Sequence, residues 1–71
     1  MPSTLCIRLL GARAKAELTQ QQCADAIGIS KARYQHYETG RREPDVEMLI
    51  ALATLFHVSI DYLVGMIDPE E

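Results

Sequence analysis

Thr19-Gln20-Gln21-Gln22-Cys23-Ala24-Asp25-Ala26-Ile27-Gly28-Ile29-Ser30-Lys31-Ala32-Arg33-Tyr34-Gln35-His36-Tyr37-Glu38-Thr39-Gly40 holds the start and stop signals of two short helices joined by a short turn. Thr19 followed by Gln22 is a capping box: the hydroxyl accepts from the third helical N–H, and the Gln side chain returns to the N–H of the cap residue. Gly28 supplies the left-handed residue that ends the first of the two helices, and Ser30 caps the second. Gly40 stops it.

Working outward, the apolar periodicity predicts three more helices and no strand. A helix from about Ser3 or Thr4 to Ala16 places Leu5, Leu9, Ala12 and Ala16 on one stripe, slightly weakened by Gly11. The Thr19–Ile27 helix is expected to bury Cys23, Ala24 and Ile27. After the loop Arg41-Arg42-Glu43-Pro44, Asp45 caps a helix with Val46, Leu49, Ile50, Ala53 and Phe56 inward, and Glu47 suits its positive amino end. His57 and Val58 form the next break. Ser59 caps a short fifth helix with Ile60 and Leu63 inward, ended by Gly65. Met66 to Glu71 carries no readable pattern, and the chain shows no internal repeat. Residues 1–71 thus read as a single all-α domain of five helices.

The chain has 71 residues, 48 % hydrophobic and 24 % charged, the composition of an ordinary globular domain whose core supplies only about 3–5 kcal/mol. No run matches a membrane span, and the amino terminus lacks the order of a secretion signal, so a cytosolic protein is expected. Cys6 and Cys23 fall at apolar helical positions, where a thiol packs as a small hydrophobe, and neither has a partner at metal-ligand spacing. The net charge of −3 disfavours nucleic acid at first sight. Its distribution says the opposite. Residues 1–42 hold all seven basic side chains against three acids (net +4), whereas residues 43–71 hold seven acids and no base (net −7). A chain so polarised has one face for an anion and another that avoids it.

Two helices joined as in residues 19–40 form a helix-turn-helix, whose second helix fits a DNA major groove. Winding that helix at about 100° per residue gathers Tyr34, Tyr37 and Glu38 on one side and Ala32, Gln35, His36 and Thr39 on the other, with Lys31 and Arg33 on the flanks. The outward set suits base edges: Lys31 can donate to guanine, Ala32 can meet a thymine methyl, Gln35 can bridge adenine N6 and N7, and His36 can donate or accept. Phosphates fit Gln20 at the amino end of its helix, Ser30 with Arg33, and the Arg41-Arg42 loop. Double-stranded DNA is therefore the expected partner.

Thr19-Gln20, Ala24, Gly28-Ile29-Ser30, Tyr37-Glu38, Gly40 and Pro44, followed by Leu49, Leu52-Ala53, Val58-Ser59 and Asp61-Tyr62-Leu63, resemble the phage-repressor helix-turn-helix family (Cro/cI type, or XRE) from about Leu5 to Gly65. The resemblance implies a five-helix domain that binds operator DNA as a dimer, usually to repress transcription. It assigns phosphate contact to Gln20, base contact to Lys31, Ala32 and His36, and an ion pair to Arg13 and Glu38. Three positions depart from the family pattern: Cys23 stands where Leu is usual, Tyr34 where Ile or Val is usual, and Ala12 where a larger aliphatic residue is usual. Tyr34 can fill the space that the other two vacate.

A single recognition helix covers too few base pairs to select one site, so a dimer on a near-palindrome is expected. Val58, Tyr62, Val64, Met66 and Ile67 are apolar groups with no evident core to enter, and they are the candidate two-fold patch. An enzyme is disfavoured because His36, His57, Cys6, Cys23 and the carboxylates form no nucleophile–base pair, and no cofactor, metal or small-molecule site is legible. The rival reading is an antitoxin or protein-interaction module of the same fold, with the acidic half, Glu43 to Glu71, as the surface for a protein partner.

Overall fold

The computed structural model describes residues 4–67. Five helices follow in order, α1 (Thr4–Ala16), α2 (Gln20–Ile27), α3 (Lys31–Thr39), α4 (Val46–Phe56) and α5 (Ile60–Val64), and no strand occurs among the described residues. Ser3 as a helix start, and the tail from Asp68 onward, lie outside them. The caps are those the sequence encodes. Thr19 and Gln22 exchange both capping-box hydrogen bonds, at 2.8 and 3.0 Å, and Ser30, Asp45 and Ser59 each accept from the N–H three residues on. Four of the five helices therefore begin on a side chain that satisfies one of their orphan donors.

α2 and α3 pack on each other, α1 crosses α3 and α5, and α4 closes the far side against α2. Leu9, Cys23, Ala24, Tyr34, Leu52 and Leu63 are completely enclosed, with Tyr37, Ala12, Ala53 and Phe56 around them. Tyr34 and Tyr37 are the largest of the fully buried side chains. Tyr34 shares its core cluster with four small residues, Ala12, Cys23, Ala24 and Ala53. Cys6 is also buried and donates to the Tyr37 carbonyl at 3.4 Å.

The inward face of α4 differs from the periodicity reading. Val46 and Ile50 are 68 % and 51 % exposed, while Leu52, Ala53 and Phe56 are buried and Met48 packs against the core. The buried arc is rotated by about 50° from the expected stripe, at 100° per residue. In Val46–Phe56 only Glu47 and Thr54 are polar, so the helix has apolar candidates all round and its neighbours choose among them. Ala16 is exposed, because it lies in the last turn of α1 where packing runs out, and it borders a surface groove instead. Leu5 and Ile27 are half-buried.

The carboxyl end is also less bare than expected. Val58 and Tyr62 pack partly against the core, leaving Val64, Met66 and Ile67 as the exposed apolar groups there. Gly65 ends α5 at φ 89°, and a Cβ on it would come within 2.9 Å of Thr4 Cγ2, so the end of α5 lies directly against the start of α1. Arg8 locks this junction: it donates to the Tyr62 carbonyl at 2.6 Å and to the Ile67 carbonyl, and its guanidinium lies 4.7 Å from the centre of the Tyr62 ring.

Candidate nucleic-acid interface

The α2–α3 unit is held at a fixed angle by its turn and by its core side. Gly28 adopts φ 75°, which an L side chain resists, and Ile29 N–H returns to the Ala24 carbonyl at 3.0 Å. From there α3 turns Tyr34 and Tyr37 inward, as the winding of the sequence requires. Lys31 and Ala32 are exposed, Gln35 and His36 are half-exposed, and Thr39 is exposed. The four base-contact candidates thus share the side of α3 away from the core.

The phosphate candidates divide. Arg41 and Arg42 are exposed on the loop after α3, and Ser30 is spent on its cap, accepting from Arg33 N–H at 3.1 Å. The Arg33 side chain is tied to its own helix: Nε donates to Tyr37 Oη at 2.9 Å and the guanidinium lies over that ring at 5.9 Å. This engages one donor and leaves the terminal fork available for an anion. At the amino end of α2 the capping box occupies the N–H groups of Thr19 and Gln22, so those of Gln20 and Gln21 have no acceptor within the helix.

Beneath this surface lies a polar chain that the sequence did not reveal. Gln35 Nε2 donates to Gln20 Oε1 at 2.8 Å, and Gln20 Nε2 donates to Glu38 Oε1 at 3.1 Å. Glu38 also accepts from Arg13, at 2.6 Å from Nε and 3.3 Å from Nη2, while Arg13 Nη1 reaches the Leu18 carbonyl at 3.1 Å. Arg13 and Glu38, paired at first only by family resemblance, are thus in contact. Burial would raise the Glu38 pKa, but the hydrogen bonds from Arg13 and Gln20 hold it below the ordinary carboxylate value. Burial pushes the Cys23 thiol the other way, upward. Gln20 and Gln35 are fifteen positions apart and on different helices, so only packing could show that they touch.

Two of the seven basic residues are engaged within the fold. Arg8 is committed to the α1–α5 junction and Arg13 to Glu38. Of the other five, Lys15 is exposed near the end of α1, and Lys31, Arg33, Arg41 and Arg42 all lie on α3 or the loop behind it.

A capped helix pair with a glycine turn, a polar outer face on the second helix and a buried aromatic inner face defines a helix-turn-helix domain. The chain belongs to the helix-turn-helix family of the XRE type: the family model matches residues 10–63. It is 41 % identical over 63 residues to the uncharacterized HTH-type transcriptional regulator YobD of Bacillus subtilis, covering 89 % of this chain and 56 % of that protein. It is 43 % identical over 58 residues to the cryptic phage CTXphi transcriptional repressor RstR of Vibrio cholerae, covering 82 % of this chain and 52 % of the relative. The chain spans about half the length of the curated relatives it matches. Among solved structures, a transcriptional regulator from Listeria innocua superposes with a TM-score of 0.83 at 32 % identity, over 96 % of this chain and 64 % of that one. The P22 c2 repressor in complex with a synthetic operator superposes with a TM-score of 0.80 at 28 % identity, over 84 % and 91 %. Among the described residues no helix is long and apolar enough to cross a membrane.

Proposed function

We propose that this chain is the DNA-reading domain of a transcriptional regulator, a repressor in its usual mode, that places α3 in the major groove of a near-palindromic operator and binds as a two-fold dimer. The observation that carries this reading is the Gln35–Gln20 hydrogen bond. It joins the outward side of α3, with Lys31, Ala32, Gln35 and His36, to the amino end of α2, so base-edge and phosphate groups share one surface. The similar fold of a repressor bound to its operator supports the same orientation. Lys31, Ala32, Gln35 and His36 would read bases. Gln20, the start of α3 at Ser30, Arg33, Arg41 and Arg42 would hold phosphates. Two copies joined near Val64, Met66 and Ile67, with Val58 and Tyr62 behind them, would present two recognition helices about 34 Å apart.

Selection of bound sites from a random DNA pool, followed by salt titration on the selected and on random duplexes, tests the reading. His36→Ala is expected to cost about 1–3 kcal/mol on the selected site and to relax preference at a few base pairs only. Arg41→Ala is expected to weaken all duplexes alike and to flatten the salt slope. Unchanged binding by both variants would remove α3 as the reader.

A further inference from the structure

We propose that Glu38, whose side chain is enclosed between α1 and α3, decides which base Gln35 reads, by fixing the direction of the amide chain between them. The inference rests on α3 being the groove helix. An ionised carboxylate can only accept hydrogen bonds, so the Gln20 amide must turn its Nε2 toward Glu38 Oε1, at 3.1 Å. That rotation leaves Gln20 Oε1 facing α3, where it can only accept. Gln35 must therefore give it an N–H, at 2.8 Å. The polarity is set at the far end of the chain, where Arg13 grips the carboxylate with Nε and Nη2 and prevents it from turning away.

What remains on Gln35 is one N–H and its carbonyl oxygen. That pair complements adenine, which shows an N6–H donor beside the N7 acceptor. With the chain reversed, Gln35 would accept from Gln20 and turn both its N–H groups outward, the pattern that suits guanine O6 and N7. A carboxylate enclosed between α1 and α3 thereby becomes a choice of A·T over G·C at one base pair.

The experiment is site selection with the wild-type chain and three variants, each checked by its melting curve. Gln35→Ala identifies the base pair that Gln35 contacts. At that pair the wild type is expected to prefer adenine over guanine by about tenfold or more. Gln20→Met keeps the Arg13–Glu38 pair and removes the chain, so the preference there should shrink to about twofold while other positions keep theirs, whatever uniform affinity is lost with a phosphate contact. Glu38→Gln, able to donate, should admit guanine at the same pair, and a folded Glu38→Gln variant that keeps the full adenine preference would overturn the proposal. Guanine at the Gln35 position in wild type, no position that responds to Gln35→Ala, or full adenine preference in Gln20→Met would each overturn the proposal. A wild-type pool with no sequence preference would instead overturn the DNA-reading assignment, and this inference with it.

Discussion

Arg13 Nε and Glu38 Oε2 stand 2.6 Å apart across the junction of α1 and α3, with the Glu38 side chain only 4 % exposed and that of Arg13 20 %. The pair is the electrostatic tie between the first helix and the helix-turn-helix. Removing one partner would strand the other charge in a largely dry site, a loss of about 3–5 kcal/mol when a pair is buried. In a domain whose whole core supplies about that much, Glu38→Ala is expected to be largely unfolded at 25 °C, which circular dichroism would show.

The same pair predicts an acid limb in the stability curve. Glu38 has a folded pKa below its ordinary value of 4.5, so its contribution is fully present above that pH and is lost as pH falls through the depressed folded value. Urea midpoints measured from pH 6 to pH 2 should fall most steeply below pH 4.5. A flat curve through that window would mean the carboxylate is not held by Arg13 in solution.

Tyr34 gives a prediction of the opposite sign. Its hydroxyl is buried without a well-formed hydrogen bond, and burial first, then the neighbouring Glu38 carboxylate, push its pKa far up, so the group stays neutral. Deleting an unsatisfied hydroxyl removes a desolvation cost and leaves the ring packing intact. Tyr34→Phe is expected to match wild type within about 0.5 kcal/mol or to exceed it in urea denaturation, whereas Tyr34→Ala should lose about 3–5 kcal/mol. A loss of more than about 1 kcal/mol in the Phe variant would show that the hydroxyl has a partner worth a hydrogen bond.

Arg8 belongs to the far end of the molecule. Arg8→Met removes the bonds to the Tyr62 and Ile67 carbonyls and the contact with the Tyr62 ring. A cost of about 1–3 kcal/mol is expected, as for hydrogen bonds from a charged donor. The Met66 amide, which donates to the Asp61 carbonyl at 2.8 Å, should exchange faster, with α2 and α3 protection falling only to the new global stability. Equal loss of protection everywhere, with no extra effect at Met66, would rule out a local clasp.

Met66, 74 % exposed beside Val64 and Ile67, is the cleanest probe of the proposed dimer. Tyr62 is a poorer one, since it packs against the core and under Arg8. Met66→Asp is expected to leave melting unchanged, to abolish self-association in sedimentation and to weaken operator binding far more than binding to random duplex. A wild-type chain that sediments as one copy on its selected site would exclude this interface.

Local signals in the sequence determined the helices, because capping is a short-range exchange between neighbouring residues: Thr19 with Gln22, Ser30 with Arg33, Asp45 with Met48 and Ser59 with Tyr62 are all three apart. The outward arc of α3 was legible for the same reason, since a helix of fixed pitch separates its own faces. The inward face of α4 was not, because a segment with only Glu47 and Thr54 polar leaves the choice to whatever packs against it. Nor could spacing show that Arg8 would be spent on the Tyr62 and Ile67 carbonyls rather than offered to an anion. The Gln35–Gln20–Glu38–Arg13 chain draws its members from three helices, and each of its bonds depends on two of those helices meeting at hydrogen-bond distance. Sequence supplies the donors and acceptors; only the tertiary packing sets which of them meet and in which direction the bonds run.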